Sequence, residues 1–187
     1  MTIYEKTLRT LYGQICWQWY YEPRLNLWLS FGEPKLEVMP RLLPVRRSLW
    51  PRAANLGCKK RVATIKGRWR LWINFGYWAF MCKGTCIARA SSSRAAREEA
   101  EVLLEGQRLV HVEVNPKHGA TVFRFDLGGE LRVRRMKVET ADSMWSLYEP
   151  SGYVLTVRCD GTFNRQPGAP HIDKRPLIIG RSLTDSC

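Results

Sequence analysis

The sequence lacks acidic residues over a long central stretch. From Val38 to Arg97 there are fourteen Lys and Arg residues and no Asp or Glu, whereas the segments on either side are close to neutral. The formal net charge of +13, from 30 basic and 17 acidic residues, therefore arises in this stretch. A solvated surface normally mixes both signs. The concentration of one sign predicts an anionic partner.

A long hydrophobic run is also lacking. The apolar residues near the start are interrupted by Gln14 and Gln18, and they lack the basic-then-apolar order of a signal peptide. We therefore expect a cytoplasmic location and no membrane partner. A chain of 187 residues needs no disulfide staples, and its scattered cysteines agree with that location: Cys16, Cys58, Cys82, Cys86, Cys159 and Cys187.

Motifs for catalysis or metal binding are lacking too. No P-loop, zinc-finger spacing or helix-turn-helix pattern occurs. Cys82 and Cys86 have a spacing compatible with a metal site, but a structural zinc site usually shows a second close pair. None of the three histidines has a spacing that implies a catalytic triad. We therefore predict no catalytic residue, no metal site and no cofactor; a cysteine- or metal-dependent enzyme is a further alternative.

Similar segments recur in the same order in the two halves of the chain. Residues 2–12 and 92–105 are predicted helices, because each begins at capping hydroxyl residues and ends before a glycine. Each helix is followed by Gly-Gln and an alternating strand. Two predicted hairpins come next, at 25–38 and 67–80 in the first half and at 121–133 and 151–163 in the second. Their turns are expected at Gly32-Glu33-Pro34, Asn74-Phe75-Gly76, Gly128-Gly129 and Asp160-Gly161.

These patterns predict an α+β fold, mostly antiparallel β. We expect an internally duplicated helix-plus-β-hairpins unit with pseudo-twofold symmetry and one helix per copy. The first copy spans residues 1–90 with a basic arm at 39–60, the second spans 91–166, and residues 167–187 form an extended or flexible tail. Together they form one compact globular unit. Strand alternation assigns Trp69, Leu71 and Ile73 to the core, together with Leu36 and Val38.

One strand face combines guanidinium groups with an aromatic ring. Opposite the core face of residues 68–74 lie Arg68, Arg70 and Trp72. Guanidinium groups can pair with phosphates while a neighbouring ring stacks on a base, which indicates single-stranded nucleic acid. With the basic residues upstream, the predicted anion- or nucleic-acid-binding residues are Arg46, Arg47, Trp50, Lys59, Lys60, Arg61, Arg68, Arg70 and Trp72.

The sequence thus predicts a non-enzymatic binding module for an anionic partner, nucleic acid first, through the basic-aromatic surface of the first copy. The alternative is an interaction, inhibitor or immunity-type protein that docks on an acidic protein surface. The repeated hairpins, the tryptophan-rich strand and the Asp-Gly turn resemble those of small bacterial interaction domains, immunity proteins of toxin systems among them. That resemblance implies a protein partner. It includes no diagnostic motif, so no residue role is transferred from it.

Overall fold

Strands make up most of the structure. The structure is a computed structural model and describes residues 3–21, 26–42, 59–74, 76–135 and 143–168. Its two helices are short: α1 spans Ile3–Leu11 and α2 spans Arg94–Leu104. The strands are β1 (Cys16–Tyr21), β2 (Leu27–Leu42), β3 (Lys59–Ile73), β4 (Gly76–Cys82), β5 (Thr85–Arg89), β6 (Leu109–Val114), β7 (Thr121–Phe125), β8 (Gly129–Arg135), β9 (Ser143–Tyr148), β10 (Tyr153–Arg158) and β11 (Phe163–Pro167).

The strands form two antiparallel sheets. The six-stranded sheet has the order β1-β2-β3-β9-β10-β11, and the five-stranded sheet has the order β5-β4-β8-β7-β6. The chain builds β1 to β3 in the first sheet and then β4 and β5 in the second. It completes the second sheet with β6 to β8 before β9 to β11 return to the first. Strands from both halves of the chain therefore lie in each sheet.

The core lies between the two sheets, where aromatic rings of one sheet meet those of the other. The ring centroids of Trp19 and Trp78 are 5.1 Å apart in an edge-to-face arrangement. Phe31 and Phe125 stack with their centroids 6.4 Å apart. Trp69, Leu71 and Ile73 are buried, which confirms the predicted core face of β3. Burial of several large rings is the main apolar contribution to the stability of this fold.

Both helices add their apolar sides to this core. Leu8 and Leu11 of α1 are buried, as are Ala100 and Leu104 of α2. The hydroxyl of Ser93 caps α2 by accepting a 3.3 Å hydrogen bond from the amide of Ala96. Both helices lie within the ranges predicted for them; α2 is shorter at both ends, and α1 ends one residue earlier.

The segments that follow the two helices pair with each other and link the sheets. Ile15 and Arg108 form an antiparallel bridge. On either side of it, the amide of Gly13 donates to the carbonyl of Leu109 at 2.7 Å and the amide of Cys16 donates to that of Gln107 at 2.8 Å. This short pairing joins the β1 edge of one sheet to the β6 edge of the other.

The predicted fold class is wrong in its duplicated helix-plus-β-hairpins unit with one helix per copy, whereas its mostly antiparallel β content is confirmed and the α+β class is partly consistent with the structure. Over the described ranges the structure is mostly antiparallel β in two sheets, with two short helices. The hairpins predicted to correspond in the two halves do not. β2 continues through the turn predicted at Gly32, whereas β7 and β8 do form a hairpin. β3 and β4 lie in different sheets, whereas β10 and β11 pair with each other.

The physical reason is that alternation and turn residues act over a few neighbouring residues, whereas the sheet that a strand joins depends on tertiary burial. The boundaries predicted at residues 90 and 166 are not decided by this topology and stay predictions. The tail predicted at 167–187 and most of the arm predicted at 39–60 lie outside the described residues.

Candidate anion-binding surface

Strands β2 and β3 continue together past the rest of their sheet. β1 pairs with Leu27–Phe31 of β2, and β9 pairs with Arg70–Ile73 of β3. From Pro34↔Gly67 to Leu42↔Lys59, β2 and β3 are paired with each other alone in the described part of the chain. We call these segments, 34–42 and 59–67, the ribbon. At about 3.3 Å per residue its nine residue pairs reach about 30 Å.

A bulge marks the point where the ribbon leaves the sheet. The β2–β3 register shifts between Phe31 and Pro34, so that Gly32 and Glu33 lie opposite the single residue Arg68. Gly32 has a φ of 73°, which glycine adopts without a side-chain clash. The indole nitrogen of Trp17 donates a 2.7 Å hydrogen bond to the carbonyl of Gly32. The residues predicted to form a turn therefore form a bulge inside one long strand.

The ribbon carries a large excess of positive charge. Its single acidic residue is Glu37, and its six basic residues are Lys35, Arg41, Lys59, Lys60, Arg61 and Lys66. Lys66 Nζ lies 2.6 Å from Glu37 Oε2, so the acid is already neutralised within the ribbon. Arg61 and Lys35 are exposed, and no carboxylate of the described residues lies within ion-pair distance of either. These two cations are available to an external anion.

One face of the ribbon is apolar and exposed. Leu36 is 63% exposed, Val38 53% and Ile65 57%. Ile65 shares its strand face with Trp69 and Leu71, so the core face of the sheet continues along the ribbon beyond the reach of the opposite sheet. The prediction that Leu36 and Val38 lie in the core is therefore wrong. An exposed apolar strip of this kind is typical of an interaction surface.

The predicted aromatic residue Trp72 is packed against a second tryptophan. Its ring stacks on Trp28 with the centroids 4.9 Å apart and the planes 9° apart, and Trp28 also stacks on Tyr148 at 5.8 Å. The guanidinium of Arg70 lies 5.2 Å from the Tyr148 ring and 5.8 Å from the Trp28 ring. Trp28 thus already covers one face of the Trp72 ring. Arg70 lies over the rings of Trp28 and Tyr148, which belong to the same aromatic stack.

The other predicted residues fall into two groups. Arg68 is exposed beside the bulge, and its guanidinium is 4.0 Å from the Glu33 carboxylate, at the limit of an ion pair. Lys59 and Lys60 lie on the outer end of β3. Arg46, Arg47 and Trp50 lie outside the described residues. The structure therefore brings Lys59, Lys60, Arg61, Arg68, Arg70 and Trp72 onto one long strand.

Sequence reasoning missed a second group of cations, on the solvent face of the five-stranded sheet. Arg89 of β5 and Arg132 of β8 both pair with Ala79 of β4, and Arg134 pairs with Tyr77. They border an open groove of about 580 Å³. Alternation in β8 could have indicated that Arg132 and Arg134 face outward. No local signal indicates that Arg89 lies beside Arg132 and Arg134. The three residues come together because β4 pairs with β5 on one side and with β8 on the other.

Candidate metal ligands are scattered over the part of the chain that the structure describes. Over the described ranges, His, Cys, Asp and Glu side chains form no cluster of three or more that could hold a metal ion. The cysteines that the structure describes, Cys16, Cys82, Cys86 and Cys159, are free thiols. Of the two helices described, neither has the length and apolar content needed to cross a bilayer.

The fold and its surface define a two-sheet antiparallel β protein with a basic ribbon that extends past the neighbouring strands of its sheet. Comparison of the chain with protein-family models, with curated proteins and with solved structures finds no match. Its function is therefore argued from its own residues.

Proposed function

We propose that this protein is a non-enzymatic binding module that holds an anionic partner, nucleic acid, along the ribbon formed by β2 and β3. The observation that carries the proposal is the charge of the ribbon, six basic residues against one acidic residue that is paired with Lys66. Phosphates attract clustered Lys and Arg whatever the base sequence, and counterion release drives the binding.

The shape of the ribbon also suits a nucleic acid groove. The major groove of B-DNA is about 12 Å wide and admits a two-stranded β-ribbon. A ribbon of about 30 Å is long enough to lie along part of one helical turn of this groove. Because Trp28 covers one face of Trp72, phosphate contacts and not base stacking supply most of the affinity in this proposal.

The test is fluorescence anisotropy with labelled single-stranded and double-stranded oligonucleotides between 50 and 300 mM KCl. A double variant, Lys35→Glu with Arg61→Glu, reverses two exposed ribbon charges. We expect it to lower the affinity at least tenfold and to reduce the salt slope by about two, because each phosphate contact contributes about 0.9 to that slope. Circular dichroism would check that the variant is folded.

The matched control reverses two exposed charges elsewhere, Lys117→Glu with Arg158→Glu, for the same change in net charge. This control is expected to lose much less affinity, since its charges lie outside the ribbon. Equal losses in both double variants would show a general charge effect and would contradict a ribbon site. Absence of binding by the wild-type protein at 50 mM KCl would end the proposal.

A second candidate is docking on an acidic protein surface, and the exposed apolar strip favours it. Leu36, Val38 and Ile65 are more than half exposed and would be buried by a protein partner but not by a phosphate backbone. Purification from the native host after nuclease treatment separates the two candidates. A stoichiometric acidic protein that survives nuclease and is lost in Leu36→Ser with Ile65→Ser supports docking. Loss of all bound material with nuclease supports nucleic acid.

A further inference from the structure

The groove on the five-stranded sheet is a second candidate site, and it does not depend on the ribbon. Its floor is formed by side chains on the solvent face of β4 and β7, namely Ala79, Met81 and Val122. Ala79 is small and stands between two arginines in the row Arg89, Ala79, Arg132 across β5, β4 and β8. The floor is therefore apolar, and arginines border it on both sides. Its volume of about 580 Å³ is in the range of small-molecule sites.

The arginines at the rim differ in whether they form an ion pair with a carboxylate. Arg132 pairs with Glu130, and Arg124 pairs with Glu113 at 3.0 Å. These pairs neutralise Glu113, which lines the groove, and Glu130, which is the strand partner of Met81. Arg89 and Arg134, by contrast, have no carboxylate within ion-pair distance in the described part of the chain. These two positive charges at the rim could therefore pair with a bound anion.

Both of these arginines are held in place by neighbouring groups. The Nε of Arg89 donates a 3.3 Å hydrogen bond to Cys86 Sγ, which leaves the two terminal nitrogens of its guanidinium as the outward donors. Arg134 lies over the Tyr77 ring, 4.9 Å from its centroid. Tyr77 is itself fixed by a 3.2 Å hydrogen bond between its hydroxyl and that of Ser91. Positioned guanidinium groups lose less entropy on binding than mobile ones.

We propose that this groove binds a small organic anion with an apolar body, such as an aryl or acyl carboxylate or sulfonate. The anionic group lies above β4 between Arg89 and Arg134, and the apolar body covers Ala79, Met81 and Val122. Two guanidinium groups supply charge-assisted hydrogen bonds, and the floor supplies apolar area that a simple inorganic anion would not use.

Two fluorescent probes with the same rings test the proposal. One is 1-anilinonaphthalene-8-sulfonate, and the other is N-phenyl-1-naphthylamine, which lacks the sulfonate. We expect saturable binding of one sulfonate probe per folded chain, at least tenfold tighter than binding of the uncharged probe. Arg89→Gln with Arg134→Gln should weaken the sulfonate probe about tenfold and change the uncharged probe by less than threefold. Ala79→Trp fills the floor and should weaken both probes.

The control variant is Arg158→Gln, which removes an exposed arginine from the other sheet and should leave both affinities unchanged. Equal affinities of the two probes, or a sulfonate affinity that survives loss of Arg89 and Arg134, would overturn the proposal. Binding that does not saturate would do the same. Displacement of the probe by an oligonucleotide at its own binding concentration would overturn it too, since the groove would then belong to a nucleic acid surface. The probe-binding test is independent of the ribbon test. Ribbon variants that leave nucleic acid affinity unchanged would contradict the ribbon proposal alone.

Discussion

The indole nitrogen of Trp145 donates a 2.8 Å hydrogen bond to the hydroxyl of Thr121, and this bond joins the two sheets inside the core. Trp145 belongs to β9 in the six-stranded sheet, and Thr121 begins β7 in the five-stranded sheet. The Thr121 hydroxyl in turn donates to the carbonyl of Gly119 at 2.7 Å. Buried polar groups are stable when each has a partner, and this short chain of bonds satisfies all three.

Thr121→Val is expected to destabilise the fold by about 1–3 kcal/mol, because it leaves a buried indole N–H and a carbonyl without their hydrogen bonds. Thr121→Ser keeps the hydroxyl and loses one methyl group, so it should cost about 0.8 kcal/mol. Urea unfolding followed by tryptophan fluorescence would measure both. A valine variant as stable as the serine variant would show that the hydrogen bond contributes nothing net.

Gly67 lies where the ribbon joins the sheet, and the space at its Cα is closed. An added Cβ would lie 2.8 Å from the amide nitrogen of Phe31 and 2.8 Å from the carbonyl oxygen of Trp69. Gly67→Ala should therefore push β2 and β3 apart and cost about 1–3 kcal/mol, as overpacking does elsewhere. Hydrogen exchange should show reduced amide protection along both strands.

Gly84→Ala, in the turn between β4 and β5, is the control for that measurement. Its Cβ would meet nothing within 4 Å, and only its φ of 84° would be strained. The control should leave the protection of β2 and β3 unchanged. Similar loss of protection in both variants would contradict a local effect at Gly67.

The buried thiol of Cys16 should make the free energy of unfolding depend on pH in the alkaline range. Burial raises the pKa of its thiol far above the usual range, so the folded protein keeps the proton. In the unfolded chain a thiol ionises near pH 8.5, and above that pH the unfolded state alone loses the proton. Stability should therefore fall above about pH 8.5, by up to about 1.4 kcal/mol per pH unit from this group.

Cys16→Ala removes that contribution. Its free energy of unfolding should be lower than that of the wild type at pH 8 because of the lost packing, and it should fall less steeply between pH 8.5 and 10. Guanidinium unfolding under reducing conditions measures both slopes. Parallel pH profiles for the two proteins would contradict a buried, protonated thiol.

The ribbon contains a carboxylate whose titration reports its pairing. Partial burial alone would raise the pKa of Glu37, but the hydrogen bond and charge of Lys66, together with the charges of Arg70 and Lys35, outweigh it and lower the pKa below its usual value. The ion pair therefore contributes to stability above the unfolded pKa of about 4.3, and this contribution is lost as the pH falls through the lowered folded value.

Lys66→Met should raise the pKa of Glu37, and carboxyl-carbon NMR would follow it directly. Lys35→Met serves as the control, because Lys35 acts on Glu37 through charge alone and is the weakest of the named influences. Its effect should have the same direction and a smaller size. A larger shift from Lys35→Met than from Lys66→Met would contradict the pairing seen in the ribbon.

The features that were predictable from sequence are those fixed by near neighbours. The helix at residues 94–104 has its cap at Ser93, and the inner face of β3 follows from strict alternation at Trp69, Leu71 and Ile73. The turn at Gly128 follows from turn chemistry. Each of these signals acts within one turn or one strand, so a single sequence is enough to find it.

The features that were missed depend on which strands meet. A glycine with positive φ serves a bulge as well as a turn, and Gly32 forms a bulge because β3 pairs with β2 on both sides of it. The stacking of Trp28 on Trp72 requires the β2–β3 register, since these two residues are a cross-strand pair. The groove requires β4 to lie between β5 and β8. None of these pairings is encoded locally.

The order in which the strands fill the two sheets has a consequence for synthesis in the cell. When β3 leaves the ribosome, its Arg70–Ile73 edge has no neighbour until β9 emerges, after the whole five-stranded sheet has been made. At about 5–20 residues per second that delay is on the order of 10 s. For this time a nascent hairpin presents an open edge and apolar side chains, the state in which chains aggregate or recruit chaperones.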